Sequence, residues 1–82
     1  MGERLVLRAK NEDTLLPRVL RVLAQRGLKV AGLCLEVVNQ GQEIKLSIVL
    51  SNTGAAQAVK LLEKQVAVLT VALHEEVLEQ SA

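Results

Sequence analysis

VAGLCLEVVNQGQEIKLSIVL, residues 30–50, is the stretch that decides the fold. Leu33, Leu35 and Val37 alternate with Cys34 and Glu36; after the polar turn Asn39-Gln40-Gly41-Gln42, the residues Ile44, Leu46, Ile48 and Leu50 alternate with Glu43, Lys45, Ser47 and Val49. Successive side chains of an extended chain point to opposite faces, so the stretch predicts a β-hairpin with an apolar face on both strands.

On its N-terminal side, Leu16, Val19, Leu20 and Leu23 recur at helical spacing after Asn11-Glu12-Asp13-Thr14, a run suited to turns and caps. With Thr14 as N-cap, Pro17 falls at the third helical position, where its missing N–H removes no helical bond. Gln25-Arg26-Gly27 ends the helix with a cation near the negative end of the dipole and a glycine suited to the left-handed region. Before it, Leu5, Leu7 and Ala9 alternate with Arg4, Val6, Arg8 and Lys10, which reads as a first strand.

On the C-terminal side, Ser51-Asn52-Thr53-Gly54 offers caps for a second helix with Ala55, Ala58, Val59 and Leu62 on its apolar stripe. The run Val66 to Leu73, with Leu69, Val71 and Leu73 opposite Thr70 and Ala72, predicts a fourth strand before an acidic tail holding Glu75, Glu76 and Glu79. The expected division is a domain over residues 1–75 and a tail over 76–82.

The order βαββαβ predicts an α+β, ferredoxin-like fold: a four-stranded antiparallel sheet with both helices on one face, because crossovers are right-handed. The other face stays open, with Val6, Cys34, Val38 and Val49 expected on it and strand two at an edge. At 82 residues the chain is one small domain with a thin stability margin, which points to a homodimer.

Composition narrows the function. Ten Lys and Arg against nine Asp and Glu give a net charge of +1, and there is no Phe, Trp or Tyr to stack on bases, so nucleic acid is not an expected partner. No apolar run approaches membrane-spanning length, and the single Cys34 fits a reducing compartment, the cytoplasm by default. The loop after strand one has no Cys-x-x-Cys for a metal, and Cys34 in mid-strand and His74 at the end of strand four do not make a nucleophile and base. No cofactor and no catalysis are expected. Cys34 reads as a small, partly buried hydrophobe and His74 as a solvated strand end. Residues 1–30 hold seven basic and three acidic side chains, residues 31–82 three and six, which makes Arg18, Arg21 and Gln25 on helix one the candidate partner-docking face.

The segments Asn11-Glu12, Leu16-Pro17-Arg18-Val19, Leu23-Ala24-Gln25-Arg26-Gly27-Leu28-Lys29-Val30 and Lys64-Gln65-Val66-Ala67-Val68-Leu69-Thr70-Val71 together resemble the ACT domain of the regulatory small subunits of acetohydroxyacid (acetolactate) synthase. The resemblance runs over nearly the whole chain and is to the short, single-ACT kind. It implies a non-catalytic subunit that dimerises through the sheet edge and the loop–helix region. Such a subunit binds the thiamine-diphosphate-dependent catalytic large subunit and raises its activity in branched-chain amino-acid synthesis.

The resemblance also implies an effector site for a branched-chain amino acid at the start of helix one, and onto this chain it maps as Asn11, Asp13, Thr14, Leu15, Leu16 and Lys29. Free N–H groups at a helix start attract a carboxylate. Here Thr14 stands at the family's glycine, its hydroxyl expected to cap those amides, and Glu12 and Asp13 add negative charge. Lys29 stands at the family's asparagine and Leu28 at its aromatic. The expectation is activation with weak or no response to valine, with Lys29 a possible substitute cation. A free-standing ACT domain that senses an amino acid without a synthase, or a module that only dimerises, are the alternatives.

Overall fold

The computed structural model describes residues 3–52 and 54–75. In chain order the elements are β1 (Glu3–Lys10), α1 (Leu15–Gln25), β2 (Val30–Val38), β3 (Glu43–Leu50), α2 (Ala56–Glu63) and β4 (Val68–Glu75). The expected βαββαβ order is the observed one. The strands form one antiparallel sheet in the order β2-β3-β1-β4, with β2 and β4 at its edges. Thr53 of the expected cap and the acidic tail from residue 76 lie outside the described residues.

The core is aliphatic throughout. Leu5, Leu7 and Ala9 of β1 and Ile44, Leu46, Ile48 and Leu50 of β3 meet Leu15, Val19, Val22 and Leu23 of α1 and Ala55, Ala58 and Leu62 around α2, all buried. The small alanines let α2 approach the sheet closely, while branched side chains from β1 and β3 fill the space between the layers.

The sequence places the buried stripe of α1 at Leu16, Val19, Leu20 and Leu23; the structure buries Leu15, Val19, Val22 and Leu23 instead. Leu16 packs partly against the core and Leu20 is 36% exposed. Leu15 to Leu23 is apolar at so many positions that two stripes fit the helical period, and the sheet's position selects between them. At the other end Gly27 takes φ 71°. The N–H of Gly27 then donates to Ala24 O and that of Leu28 to Leu23 O, each at 3.0 Å, closing the helix as expected.

β4 differs more. It begins at Val68, two residues later than the alternation suggests, because Val66 and Ala67 form a turn in which Ala67 sits at φ 78°. The Lys10 N–H donates to Ala67 O at 2.8 Å and fixes that turn to β1. Thr70 stands opposite Arg8 but Val68 opposite Ala9, so Leu69 is an extra residue in a bulge. Val68, Val71 and Leu73 pack against the core, while Leu69 is 47% exposed rather than a member of the inner row. The hairpin turn runs over Asn39–Gly41, with Asn39, Gln40 and Gly41 all at positive φ.

The start of α2 is held by an unexpected group. Ala55 stands at the N-cap with no side-chain cap of its own, and the Glu3 carboxylate accepts a hydrogen bond from its N–H at 2.9 Å. A carboxylate there also complements the positive end of the helix dipole.

Candidate docking edge and effector loop

Strand registry lines the helix-facing side of the sheet into three rows: Leu33–Ile48–Leu5–Leu73, Leu35–Leu46–Leu7–Val71 and Val37–Ile44–Ala9–Val68. The members on β3 and β1 are buried and those on β4 pack against the core. The members on β2 are not covered: Leu33 is 41%, Leu35 40% and Val37 58% exposed. The hairpin reading assigned their common face correctly, yet no helix among the described residues buries them. Three large aliphatic side chains in a line, beside an unpaired strand edge, form the kind of surface that soluble proteins cover by association.

The opposite face of the sheet, expected to be unusually apolar, is mixed. Val6, Val38 and Val49 are half-buried, but the row Glu36–Lys45–Arg8–Thr70 crosses them with charge, and Arg8 pairs with Glu43 at 2.9 Å. Cys34 is exposed on this face, a correction to its reading as a partly buried hydrophobe: with β2 at the edge, strand pairing covers it on one flank alone. His74 is solvent-exposed as expected. The exposed apolar row therefore lies on the helix side of β2.

The loop between β1 and α1 is tied down by its own residues. The Asn11 side chain donates to Gly41 O at 3.0 Å and its backbone N–H to Gln42 O at 2.9 Å, so this asparagine clasps the loop to the hairpin turn. Thr14 is the N-cap, but it lies at φ −88° and ψ −3° and its hydroxyl makes no capping bond, contrary to expectation. A capping hydroxyl reaches forward from an extended backbone, which this conformation does not supply. The Leu15 N–H instead donates to Glu12 O at 3.1 Å, the Leu15 side chain is wholly buried, and Pro17 has no N–H. Among the first three helical positions this leaves the Leu16 N–H for any anion.

Arg18 is drawn into the same loop. Its Nε donates to Thr14 O at 3.2 Å and its Nη2 reaches Glu12 at 3.4 Å, so it acts as a local clamp more than as a free docking cation. Asp13, Thr14, Pro17, Arg18 and Arg21 line a shallow hollow of about 210 Å³. Gln25 is exposed one turn beyond Arg21 on the same helix.

Lys29 is not part of this cluster within one chain. Its N–H donates to Asn52 Oδ1 at 3.1 Å and its carbonyl accepts from Ser51 N at 2.9 Å, at the end of the sheet where α1 finishes. Asn52 also donates from Nδ2 to Gly27 O at 3.0 Å, bracing the connection from α1 to β2. Sequence reasoning missed both this bracket and the Glu3 cap, because their partners lie 25 and 52 residues away and nothing local signals them.

No protein-family model matches the chain, and no curated protein matches it in sequence. Solved structures do match in shape. The small subunit of acetolactate synthase from Thermotoga maritima superposes with a TM-score of 0.79 at 17% identity over 96% of this chain, which spans 50% of that one. The ACT domain of GTP pyrophosphokinase from Chlorobium tepidum gives 0.72 at 12% identity, covering 89% of this chain and 96% of that. The regulatory subunit of aspartate kinase from Thermus thermophilus gives 0.71 at 15%, covering 90% of this chain and 50% of that. Strand order, helix placement and these likenesses agree that the chain has the ferredoxin-like fold of an ACT domain.

Proposed function

We propose that this chain is a non-catalytic regulatory small subunit, which pairs with a second copy along β2 and activates the catalytic subunit of an acetohydroxyacid synthase in branched-chain amino-acid synthesis. The observation that carries the reading is the uncovered row Leu33, Leu35 and Val37 on an unpaired edge strand, in a fold similar over 96% of the chain to an acetolactate synthase small subunit. A cytoplasmic location follows from that role.

Antiparallel pairing of two β2 strands about a two-fold axis sets the start of one strand against the end of the other. Lys29 precedes the start, and the end leads into the turn where Gly41 O holds Asn11. Lys29 of one copy thereby approaches the Asn11–Thr14 loop of its neighbour, and an effector site built from Asn11, Asp13, Thr14, Leu15, Leu16 and Lys29 is a two-chain site. Leu15 contributes no free amide to it and Pro17 none at all, so its anion-binding power is low and the subunit responds weakly or not at all to valine. Arg21 and Gln25, with Arg18 bound to the loop, form the face offered to the catalytic subunit.

Adding the purified chain to the catalytic subunit from the same organism, and measuring acetolactate formation with and without valine, tests the reading. Turnover rises on addition and stays raised with valine present. Unchanged turnover with no co-migration of the two proteins rejects the partnership. Tight calorimetric binding of valine, leucine or isoleucine in that case supports a free-standing amino-acid sensor.

A further inference from the structure

Arg26 at the C-cap of α1 and Ala56, Gln57, Lys60, Leu61 and Lys64 along α2 line a groove of about 370 Å³ between the helices, and no acidic side chain is among its lining residues. Arg26, Lys60 and Lys64 enter no ion pair among the described residues. The three cations are strung along the groove. Asn52 ties Gly27 to the connection leading into α2, which sets Arg26 at the Ala56 end, and Lys60 and Lys64 follow about one and two turns further on. From Ala56 to Lys64 the helix rises about 12 Å, and from Lys60 to Lys64 about 6 Å. Lys60 and Lys64 also share a helix face, where like charges repel and an anionic occupant relieves the repulsion.

We propose that this groove docks an extended acidic segment of a partner protein, with carboxylates at alternate positions against Lys64, Lys60 and Arg26. The spacing favours this occupant. Side chains on one face of an extended strand recur about every 7 Å, close to the rise between the two lysines, and three of them span about 13 Å, the length over which the cations are strung. A single small anion meets one or two of these cations but does not reach along the whole string. Single-stranded nucleic acid also carries regularly spaced charge, but this chain has no Phe, Trp or Tyr on which bases stack and a net charge of only +1. The three cations are exposed and Leu61 between the lysines is half-buried, so the contact is reversible and weakens as salt rises. The groove shares no residue with the face of Arg18, Arg21 and Gln25, so the inference stands apart from the synthase reading.

Titrating the isotope-labelled full chain with a short peptide of alternating glutamate and threonine, followed by amide NMR, tests this. Shifts are expected at Arg26, Gln57, Leu61 and Lys64, with an affinity that falls as salt is raised. Lys60→Glu/Lys64→Glu weakens binding roughly 10-fold, and Lys60→Gln/Lys64→Gln, which adds no acid, weakens it less. The absence of shifts overturns the proposal, as do shifts of equal size around Arg18 and Arg21 or an affinity that neither double variant changes. Inorganic phosphate bound in the groove as tightly as the peptide assigns it to a small anion, and oligothymidylate bound more tightly assigns it to nucleic acid; either result rejects the acidic segment.

Discussion

β2 and β4 are both edge strands of one sheet and contribute to the same three apolar rows, yet their side chains meet different surroundings. Val68, Val71 and Leu73 on β4 pack against the core under α2, whereas Leu33, Leu35 and Val37 on β2 stand open. The free edge of β4 is also interrupted by the bulge at Leu69, a device that discourages further strand pairing. β2 has an irregularity of its own at its start, between Val30 and Gly32, but it pairs regularly with β3 from Gly32 to Val38, alongside Leu33, Leu35 and Val37. One edge row is covered within the chain and the other is open to solvent, so aliphatic residues of one row divide between burial and exposure.

The row Leu35–Leu46–Leu7–Val71 allows the sharpest attack on that contrast. Leu46→Ala removes a wholly buried side chain and is expected to lower stability by about 3 kcal/mol, seen as a large drop in urea midpoint. Leu35→Ala in the same row leaves the single chain nearly as stable when measured at high dilution. Equal losses at the two positions show that β2 is covered within one chain, and the contrast collapses.

Leu35→Lys tests the proposed pairing along β2. A charge in the middle of the β2 row is expected to weaken self-association roughly 100-fold, or about 2.7 kcal/mol, while circular dichroism stays unchanged. Sedimentation across a concentration series reads the effect, and a variant that still associates as the parent does removes β2 from the interface.

Glu3→Ala sharpens the cause of the difference, which is the seat of α2 over β4. Losing the acceptor for the Ala55 N–H is expected to cost about 1 kcal/mol and to speed amide exchange at the start of α2 before that of α1. Exchange that rises equally in both helices contradicts a local role. The smallest expected effect is at the turn before β4: Ala67→Gly relieves a left-handed alanine and is expected to stabilise by about 0.5 kcal/mol in thermal unfolding, since glycine takes positive φ without a Cβ clash. A lower melting temperature shows instead that the unfolded-chain entropy of the added glycine outweighs the relieved strain.

Local pattern revealed what local pattern controls. The alternations in β1, β2 and β3 placed each side chain on its correct face, and Thr14, Pro17 and Gly27 bounded α1 correctly. Where the sequence is apolar on several sides, as in α1, the period left two stripes equally good and tertiary contact chose. β4 was misread at Leu69 because a bulge inserts one residue without any mark in an apolar run. The exposure of Leu33, Leu35 and Val37 follows from which strands the helices cover, a property of the assembled layers that a strand's own pattern does not contain. At the effector loop, the residue types at Thr14 and Lys29 were readable, but the bond from Leu15 to Glu12 O and the separation of Lys29 from the loop needed coordinates.

The wholly aliphatic core has an optical corollary. With neither tryptophan nor tyrosine in its 82 residues, the protein is nearly transparent near 280 nm and has no native fluorescence to obscure an added fluorophore. A single indole introduced at Leu20, on the outward side of α1, would glow against a dark background and shift in colour when a second molecule closed over it.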